Sequence, residues 1–204
     1  MPIIPSTEVI VAFMTGVLGP LLLKWYENKV KQKEKKDPVL MSNEYDVLIS
    51  DELIEIRKNI KADRVYISQF HNGGHFYPTG KSMQKFSVLY ETVSENATSI
   101  QAERKDIPAS LFSRSINHVL KYDHFSIPDF EDDNATTYGL QYIKDSIETK
   151  STYMFALKDT KDRFMGILTV DFTEYKTYLS NADINELKIQ AARISGIMSE
   201  HLKN

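Results

Sequence analysis

The side chains best suited to bind a small molecule lie in a polar, glycine-containing stretch between two apolar segments. This stretch covers residues 71–85, and connections of that length inside a compact domain are usually functional or mobile. Imidazole, amide and ammonium groups supply hydrogen bonds and charge, and tyrosine adds apolar contact area. We therefore predict a binding site at this loop and at the end of the strand that follows it. The predicted ligand-binding residues are His71, Asn72, Gly73, His75, Tyr77, Lys81, Tyr90 and Glu91.

Catalysis and metal binding fit the same stretch less well. Residues 78–82 look like the end of a phosphate-binding loop, but His75 stands where that motif needs glycine. His71 and His75 have the spacing of two metal ligands, whereas a transition-metal site needs at least three, and Asp129 and Glu131 are far along the chain. No serine lies in a G-x-S-x-G setting. We predict no catalytic residue, no metal ion and no cofactor, and we expect the chain not to be an enzyme.

Aromatic residues around the loop are candidates for the apolar wall of a pocket. The alternative is that each of them belongs to the hydrophobic core, and both interpretations stay open. The two histidines would make binding depend on pH between about 5 and 8, the range in which imidazole gains or loses its charge. The aromatic residues in question are Phe70, Tyr77, Phe86, Tyr90 and Phe125.

Hydrophobic periodicity predicts the elements that must position this loop. Residues 64–70 alternate in the manner of a half-buried strand, and residues 86–91 form a second strand. Gly166, inside a predicted strand, indicates a bulge or the close approach of another backbone. Further elements are predicted as helices over 41–60, 109–122 and 181–203, a short helix over 137–148, a strand over 124–128, and a hairpin of 153–158 with 164–172.

Composition limits the class of protein. The 204 residues, 42% of them hydrophobic, are enough for one ordinary domain with an attachment. A formal net charge of -3 does not favour nucleic acid as a partner, and we predict none. The absence of cysteine excludes disulfides, thiolate catalysis and cysteine-ligated metal centres.

The N-terminal residues 1–26 are predicted to form an apolar transmembrane helix. Val9 to Leu23 carry no charge, and Trp25 and Tyr26 would lie at the membrane interface. The predicted bilayer contacts are Val9, Phe13, Leu18, Leu22 and Trp25.

A lysine-rich stretch follows this segment, and residues 27–40 are predicted to form a helical stem. Their position after the apolar segment favours a single-pass protein with its C-terminal domain in the cytoplasm and with the lipid bilayer as a partner. Three other interpretations of the apolar segment stay open: a signal peptide, a buried core helix, and a hydrophobic arm used in an assembly such as a virion.

The order of elements in residues 41–204 resembles that of GAF domains, the sensor-type relatives of PAS domains. The resemblance rests on ADRVYIS at 62–68, HFSIPDF at 124–130, STYMFALKDTKDRFMGILTVDF at 151–172 and the last amphipathic helix. It implies an α/β (α+β) fold with a mainly antiparallel five-stranded sheet and flanking helices. GAF-like domains bind cyclic nucleotides, tetrapyrroles, small metabolites or other proteins, and this chain has no cysteine to attach a bilin covalently.

Two short stretches also resemble bacteriophage membrane proteins with GAF-like domains. They are HNGGHFYPTGKSMQKFS at 71–87 and IQAARISG at 189–196, the latter similar to the closing helix of the T-even phage holin. The chain differs from that holin in having almost no segment before its apolar run.

Together these features predict a non-catalytic, membrane-anchored sensor or regulatory module that binds a small ligand or a partner protein and forms homo-oligomers. The alternatives are a holin-type lysis or membrane-assembly protein whose globular domain docks a regulator, and a structural subunit that assembles through its apolar arm.

Overall fold

The computed structural model describes residues 6–33, 38–75, 79–80, 82–131, 140 and 148–201. The chain divides into two compact units, Met1–Asn43 and Glu44–Asn204. The predicted short helix over 137–148 lies almost entirely outside the described residues.

The N-terminal unit is helical. Helix α1 (Thr7–Phe13) continues through a π-helical turn (Met14–Leu18) into α2 (Gly19–Lys33), and α3 (Pro38–Asn59) begins in this unit. Of the predicted stem over 27–40, the structure describes 27–33 and 38–40 as helix.

The prediction of a transmembrane segment is wrong. Among the described residues, no helix combines the length and the apolar character needed to cross a bilayer. The uncharged run from Val9 to Leu23 would rise only about 22 Å as a helix, against about 30 Å of hydrocarbon, and Lys24 interrupts it before Trp25. The same finding overturns the single-pass localisation with a cytoplasmic domain. It also removes the basis for the bilayer contacts assigned to Val9, Phe13, Leu18, Leu22 and Trp25.

The Glu44–Asn204 unit is built on one antiparallel sheet of six strands rather than the five predicted. The additional strand is the two-residue β3, which directly precedes the helix predicted over residues 109–122. The order across the sheet is β3-β2-β1-β6-β5-β4. The strands are β1 (Arg64–His75), β2 (Ser82–Val93), β3 (Ile107–Pro108), β4 (His124–Ile127), β5 (Ser151–Lys158) and β6 (Phe164–Phe172).

Helices α3 and α5 (Asn181–His201) cover one face of this sheet. A reciprocal cap starts α5: the Asp183 N–H donates to the Ser180 hydroxyl, and the Ser180 N–H donates to the Asp183 carboxylate. Both helices present aliphatic side chains at spacings of three and four, as their sequence pattern predicts. The helix residues buried against the sheet include Ile49, Leu53, Ile56, Leu187, Ala191, Ile194 and Met198.

A 3₁₀ turn (Ala109–Phe112) and helix α4 (Ser113–Tyr122) cover the other face. Phe112 and Val119 pack from this side onto Phe86, Phe125 and other sheet residues. Because both faces are covered, Val65, Tyr66 and Ile67 are all at most 3% exposed, so residues 64–68 of β1 are buried on both faces rather than half-buried as predicted.

The histidine-glycine stretch is part of the sheet, which corrects the prediction that it forms a loop over residues 71–85. Strand β1 continues through Asn72-Gly73-Gly74 to His75, and it pairs with β2 at Asn72 and His75 with an irregularity in register between them. The aliphatic stem of Lys85 crosses Gly73, where any Cβ would lie 2.3–2.6 Å from its carbons. Glycine here therefore makes room for a cross-strand side chain and does not end the strand.

The hairpin of β5 and β6 agrees with its prediction, and so does the constraint at Gly166. A Cβ on Gly166 would lie 2.5 Å from the backbone oxygen of Ser68, so β1 and β6 approach closely at this point.

Candidate ligand site

A small cavity of about 30 Å³ lies between the sheet and the 3₁₀ turn with α4. Six of its lining residues are apolar, and five carry hydrogen-bonding groups. The apolar residues are Phe70, Phe86, Phe112, Ile116, Met154 and Ile167. The polar residues are Tyr66, Ser68, Arg104, Ser115 and Thr169.

Strand alternation explains why these residues meet. In β1, Tyr66, Ser68 and Phe70 point to the cavity face, while the alternate residues Val65 and Ile67 pack against the helices. Residues of β2, β5 and β6 on the same side complete the floor, and residues of the turn and α4 form the roof. The cavity is therefore set by the register of four neighbouring strands.

Three phenylalanine rings form one wall of the cavity. The Phe86 ring lies 5.3 Å from that of Phe112 in an edge-to-face arrangement and 5.8 Å from that of Phe70. Phe70 also contacts Phe164, with ring centres 5.2 Å apart. Such aromatic contacts, together with a few polar groups, are the usual mixture in sites for small organic ligands.

Arg104 is a buried residue of the segment between β2 and β3. Its backbone N–H donates to the Ile100 oxygen and its carbonyl accepts from the Val88 N–H, both at 2.9 Å. The Arg104 residue is only 3% exposed. Both backbone contacts fix this segment against the sheet and place the arginine at the cavity.

The Glu91 side chain holds an earlier part of the same segment, residues 99–101. Its carboxylate accepts hydrogen bonds from the N–H groups of Ile100, at 2.9 Å, and Gln101, at 3.1 Å, and from the Ser99 hydroxyl. Glu91 therefore acts on the site through the position of Arg104.

A second buried arginine and an aspartate set the electrostatics beside the cavity. The Asp171 carboxylate accepts from the Arg64 guanidinium at 3.0 and 3.3 Å and from the Thr152 hydroxyl at 2.7 Å. Burial raises the pKa of Asp171, and the Arg64 charge, these hydrogen bonds and the Arg104 charge oppose that rise. Burial and the nearby Asp171 raise the pKa of the Tyr66 phenol well above its usual range, so it stays neutral and able to donate.

The predicted polar residues lie along the β1–β2 ribbon, and they do not line the cavity. His71 Nε2 lies 2.9 Å from the Ser87 hydroxyl and 3.9 Å from a carboxylate oxygen of Asp106. The Asn72 side-chain oxygen accepts from Ser82 and Gln84, and His75 is exposed.

The remaining predicted residues have separate positions. The Tyr90 hydroxyl donates to Asp46 at 2.5 Å, and the tyrosine packs against the core beneath α3 and α5. Tyr77 and Lys81 lie outside the described residues. Of the proposed aromatic wall, Phe70 and Phe86 line the cavity, and Phe125 belongs to the same hydrophobic cluster.

Sequence reasoning missed Arg104, Ser115 and Thr169. Arg104 lies in a polar segment without periodicity, and the two hydroxyls lie within an apolar helix and an apolar strand. A polar residue at a buried position of a periodic element was the available signal for Ser115 and Thr169. Arg104 gave none, because its burial depends on contacts with Val88, which lies 16 positions earlier in the chain.

Asp129 and Glu131, the acids considered as metal ligands, both contact a lysine. Lys176 Nζ contacts Asp129 Oδ2 at 3.0 Å and also the Glu131 carboxylate. The described residues contain no group of three or more histidine or acidic side chains placed to hold a metal ion.

No protein-family model matches this sequence, and no curated protein does either. Solved structures do match its fold. The blue-light-absorbing form of the Thermosynechococcus elongatus PixJ GAF domain superposes with a TM-score of 0.61 at 13% identity, covering 76% of this chain and 84% of that one.

Two further structures cover more of the chain. A far-red cyanobacteriochrome photoreceptor gives a TM-score of 0.60 at 14% identity over 91% of this chain and 99% of that one. The phycocyanobilin-bound GAF domain of a cyanobacterial phytochrome gives 0.60 at 16% identity over 91% and 96%. These comparisons do not show the resemblance to phage membrane proteins or to the holin. At these identities the likeness establishes architecture, and the chain has a GAF-like fold.

Proposed function

We propose that the Glu44–Asn204 unit is a non-catalytic sensor or regulatory module that binds a small ligand between the sheet and α4. The observation that carries this proposal is the cavity at which the buried Arg104 and three buried hydroxyl residues, Ser68, Ser115 and Thr169, converge on an aromatic wall. Buried polar groups are costly unless they are hydrogen-bonded, and these groups have partners within the protein, as the Ser115 hydroxyl does in donating to the Phe112 carbonyl oxygen at 3.0 Å. We propose that a compact ligand joins these hydrogen bonds.

The size of the cavity restricts the ligand. About 30 Å³ accommodates one or two water molecules, whereas sites for drug-sized ligands enclose roughly 300–1,000 Å³. The site must therefore widen on binding, or its ligand must be compact. We propose a compact molecule with an apolar body against Phe86 and Phe112 and an anionic or hydrogen-bond-accepting group toward Arg104.

A bilin is a poor candidate for this chain, although structures of the same fold include phycocyanobilin-bound and phycoerythrobilin-bound GAF domains. The sequence contains no cysteine for covalent attachment, and the cavity is far too small for a tetrapyrrole. Sensing in this chain would use a different and smaller molecule.

Native mass spectrometry of the full chain purified from its own source tests the proposal. We expect the wild-type protein to carry a small-molecule adduct that Arg104→Met loses. The matched control Arg114→Met, an exposed arginine on α4, should keep the adduct. An adduct that persists in folded Arg104→Met would contradict the assignment of this cavity.

Protein binding is the second part of the proposed function, and it includes the regulator-docking role of the holin-type alternative. We also propose that copies pair through α5, which light scattering at several protein concentrations would test. The exposed Ile189 on α5, 62% accessible, is the residue whose change to lysine should weaken such pairing.

A further inference from the structure

Strands β1 and β6 separate at one end of the sheet and leave an open edge. Their pairing runs from Arg64 with Asp171 to Gln69 with Gly166 and stops there. Strand β1 continues to His75 while paired with β2 on its other side. From Phe70 onward, no strand in the described part of the chain pairs with the β1 edge that faced β6.

A cleft of about 480 Å³ lies where the two strands diverge. Half-buried Phe70, Phe164 and Met165 provide its apolar part, and Lys161 and Arg163 of the β5–β6 turn lie at its rim. It is distinct from the cavity beneath α4, although Phe70 borders both. Unpaired backbone N–H and C=O groups beside an apolar cleft are the features by which a sheet edge accepts another strand.

The lining of the cleft carries one net positive charge, from Lys161 and Arg163 against Asp159, and the neighbouring Asp162 contacts Lys158. Residues 65–90 contain Lys81 and Lys85 and no acidic residue, although the whole chain has a net charge of -3. At the rim, Arg163 pairs with Asp159 at 2.6 Å, and Lys161 adds a second cation to this turn. Lys85 has an acidic neighbour, with its Nζ 3.9 Å from Asp106.

We propose that this edge binds an extended, acidic segment of another protein by adding it as a strand beside Phe70–Asn72. The apolar side chains of the segment would enter the cleft, and its acidic side chains would face Lys161 and Arg163. This inference does not depend on a ligand in the cavity beneath α4, because the two sites are lined by different polar groups.

Fluorescence anisotropy with a labelled heptapeptide, Glu-Val-Glu-Val-Glu-Val-Glu, tests the proposal on the full chain. We expect saturable binding that weakens at least tenfold in the double variant Lys161→Glu/Arg163→Glu. The double variant Arg114→Glu/Lys121→Glu, with two charge reversals on exposed positions of α4, should bind as the wild type does. Equal weakening in both variants would show attraction to net charge alone and would overturn the proposal.

Amide hydrogen exchange supplies a second readout that does not rely on a variant. The peptide should slow exchange within residues 70–72, since added strands protect the amides of the edge they join. Three results would each overturn the proposal: no binding at millimolar peptide, equal binding of the lysine-for-glutamate peptide or of heparin, and protection confined to another edge.

Discussion

The two faces of the sheet are both buried, but they are filled by different kinds of side chain. Against α3 and α5, the buried cluster consists of aliphatic and aromatic residues from both helices and three strands. Against α4, an aromatic cluster adjoins a cavity that also exposes Ser68, Arg104, Ser115 and Thr169. Close apolar packing gives stability, whereas polar groups beside a cavity provide contacts for a ligand. We infer that the face beneath α3 and α5, the helix-covered face, holds the fold together and that the face beneath α4 carries the function.

The largest effect is expected where charge is buried at one end of the sheet. Changing Asp171→Ala leaves the fully buried Arg64 guanidinium without the carboxylate it contacts at 3.0 Å. Breaking such a pair by removing one partner costs about 3–5 kcal/mol of the free energy of unfolding. Urea denaturation checks this value, with Asp51→Ala at an exposed position of α3 as the control. A loss below about 1 kcal/mol would mean that water reaches Arg64.

The next effect compares the two faces directly. Leu187→Ala empties a position that is 1% exposed on the helix-covered face, and we expect it to cost about 3 kcal/mol. Ile116→Ala, at a half-buried position beside the existing cavity, should cost about 1 kcal/mol. Urea denaturation of both variants measures the difference. Equal losses would remove the distinction between a tightly packed face and an adaptable one.

A smaller effect on stability is expected at Glu91, which acts on the cavity through its hydrogen bonds to Ile100 and Gln101. Glu91→Ala should cost about 1–2 kcal/mol. It should also speed amide exchange at Ile100 and Gln101, whose backbone N–H groups lose the carboxylate as acceptor, and at Arg104, whose N–H donates to the Ile100 oxygen. Glu95→Ala, an exposed acid nearby, should change neither. Normal exchange in Glu91→Ala would mean that Arg104 is positioned without this contact.

The smallest effect concerns pH on the helix-covered side. Burial and the hydrogen bond that Tyr90 donates to Asp46 raise the pKa of this phenol above its usual value near 10. A raised folded-state pKa gives stability that is present below about pH 10 and is lost as the pH rises further. Tyr90→Phe should therefore flatten the decline of unfolding free energy above pH 10, and Tyr175→Phe, 75% exposed, should not. An unchanged slope in Tyr90→Phe would place its ionisation in the ordinary range.

The parts of the fold that the sequence predicts are those specified by local pattern. The β5–β6 hairpin, α5 and the close approach at Gly166 follow from alternation, from spacings of three and four, and from a glycine inside an apolar strand. The extension of β1 through Gly73 was missed because glycine usually ends a strand. Here it accommodates Lys85 from the neighbouring strand, a contact that only the pairing register reveals.

The candidate site was less predictable than the fold, because it too depends on strand pairing that the local sequence does not reveal. The cavity joins residues of β1, β2, β5, β6, the 3₁₀ turn, α4 and the segment of Arg104, which are brought together by strand order. Local chemistry directed attention to His71 and His75, which lie on the ribbon, because exposed polar residues stand out in a sequence and buried ones do not. The transmembrane prediction failed on length, since a run of fifteen uncharged residues, 9–23, suits several kinds of helix.

A crystal structure of the protein purified from its own source tests the central claim most directly. We expect density for a small molecule beneath α4, with a polar atom at about 2.7–3.2 Å from the Arg104 guanidinium and an apolar part against Phe112. An empty α4 cavity in a protein whose bound molecule lies elsewhere would contradict the account.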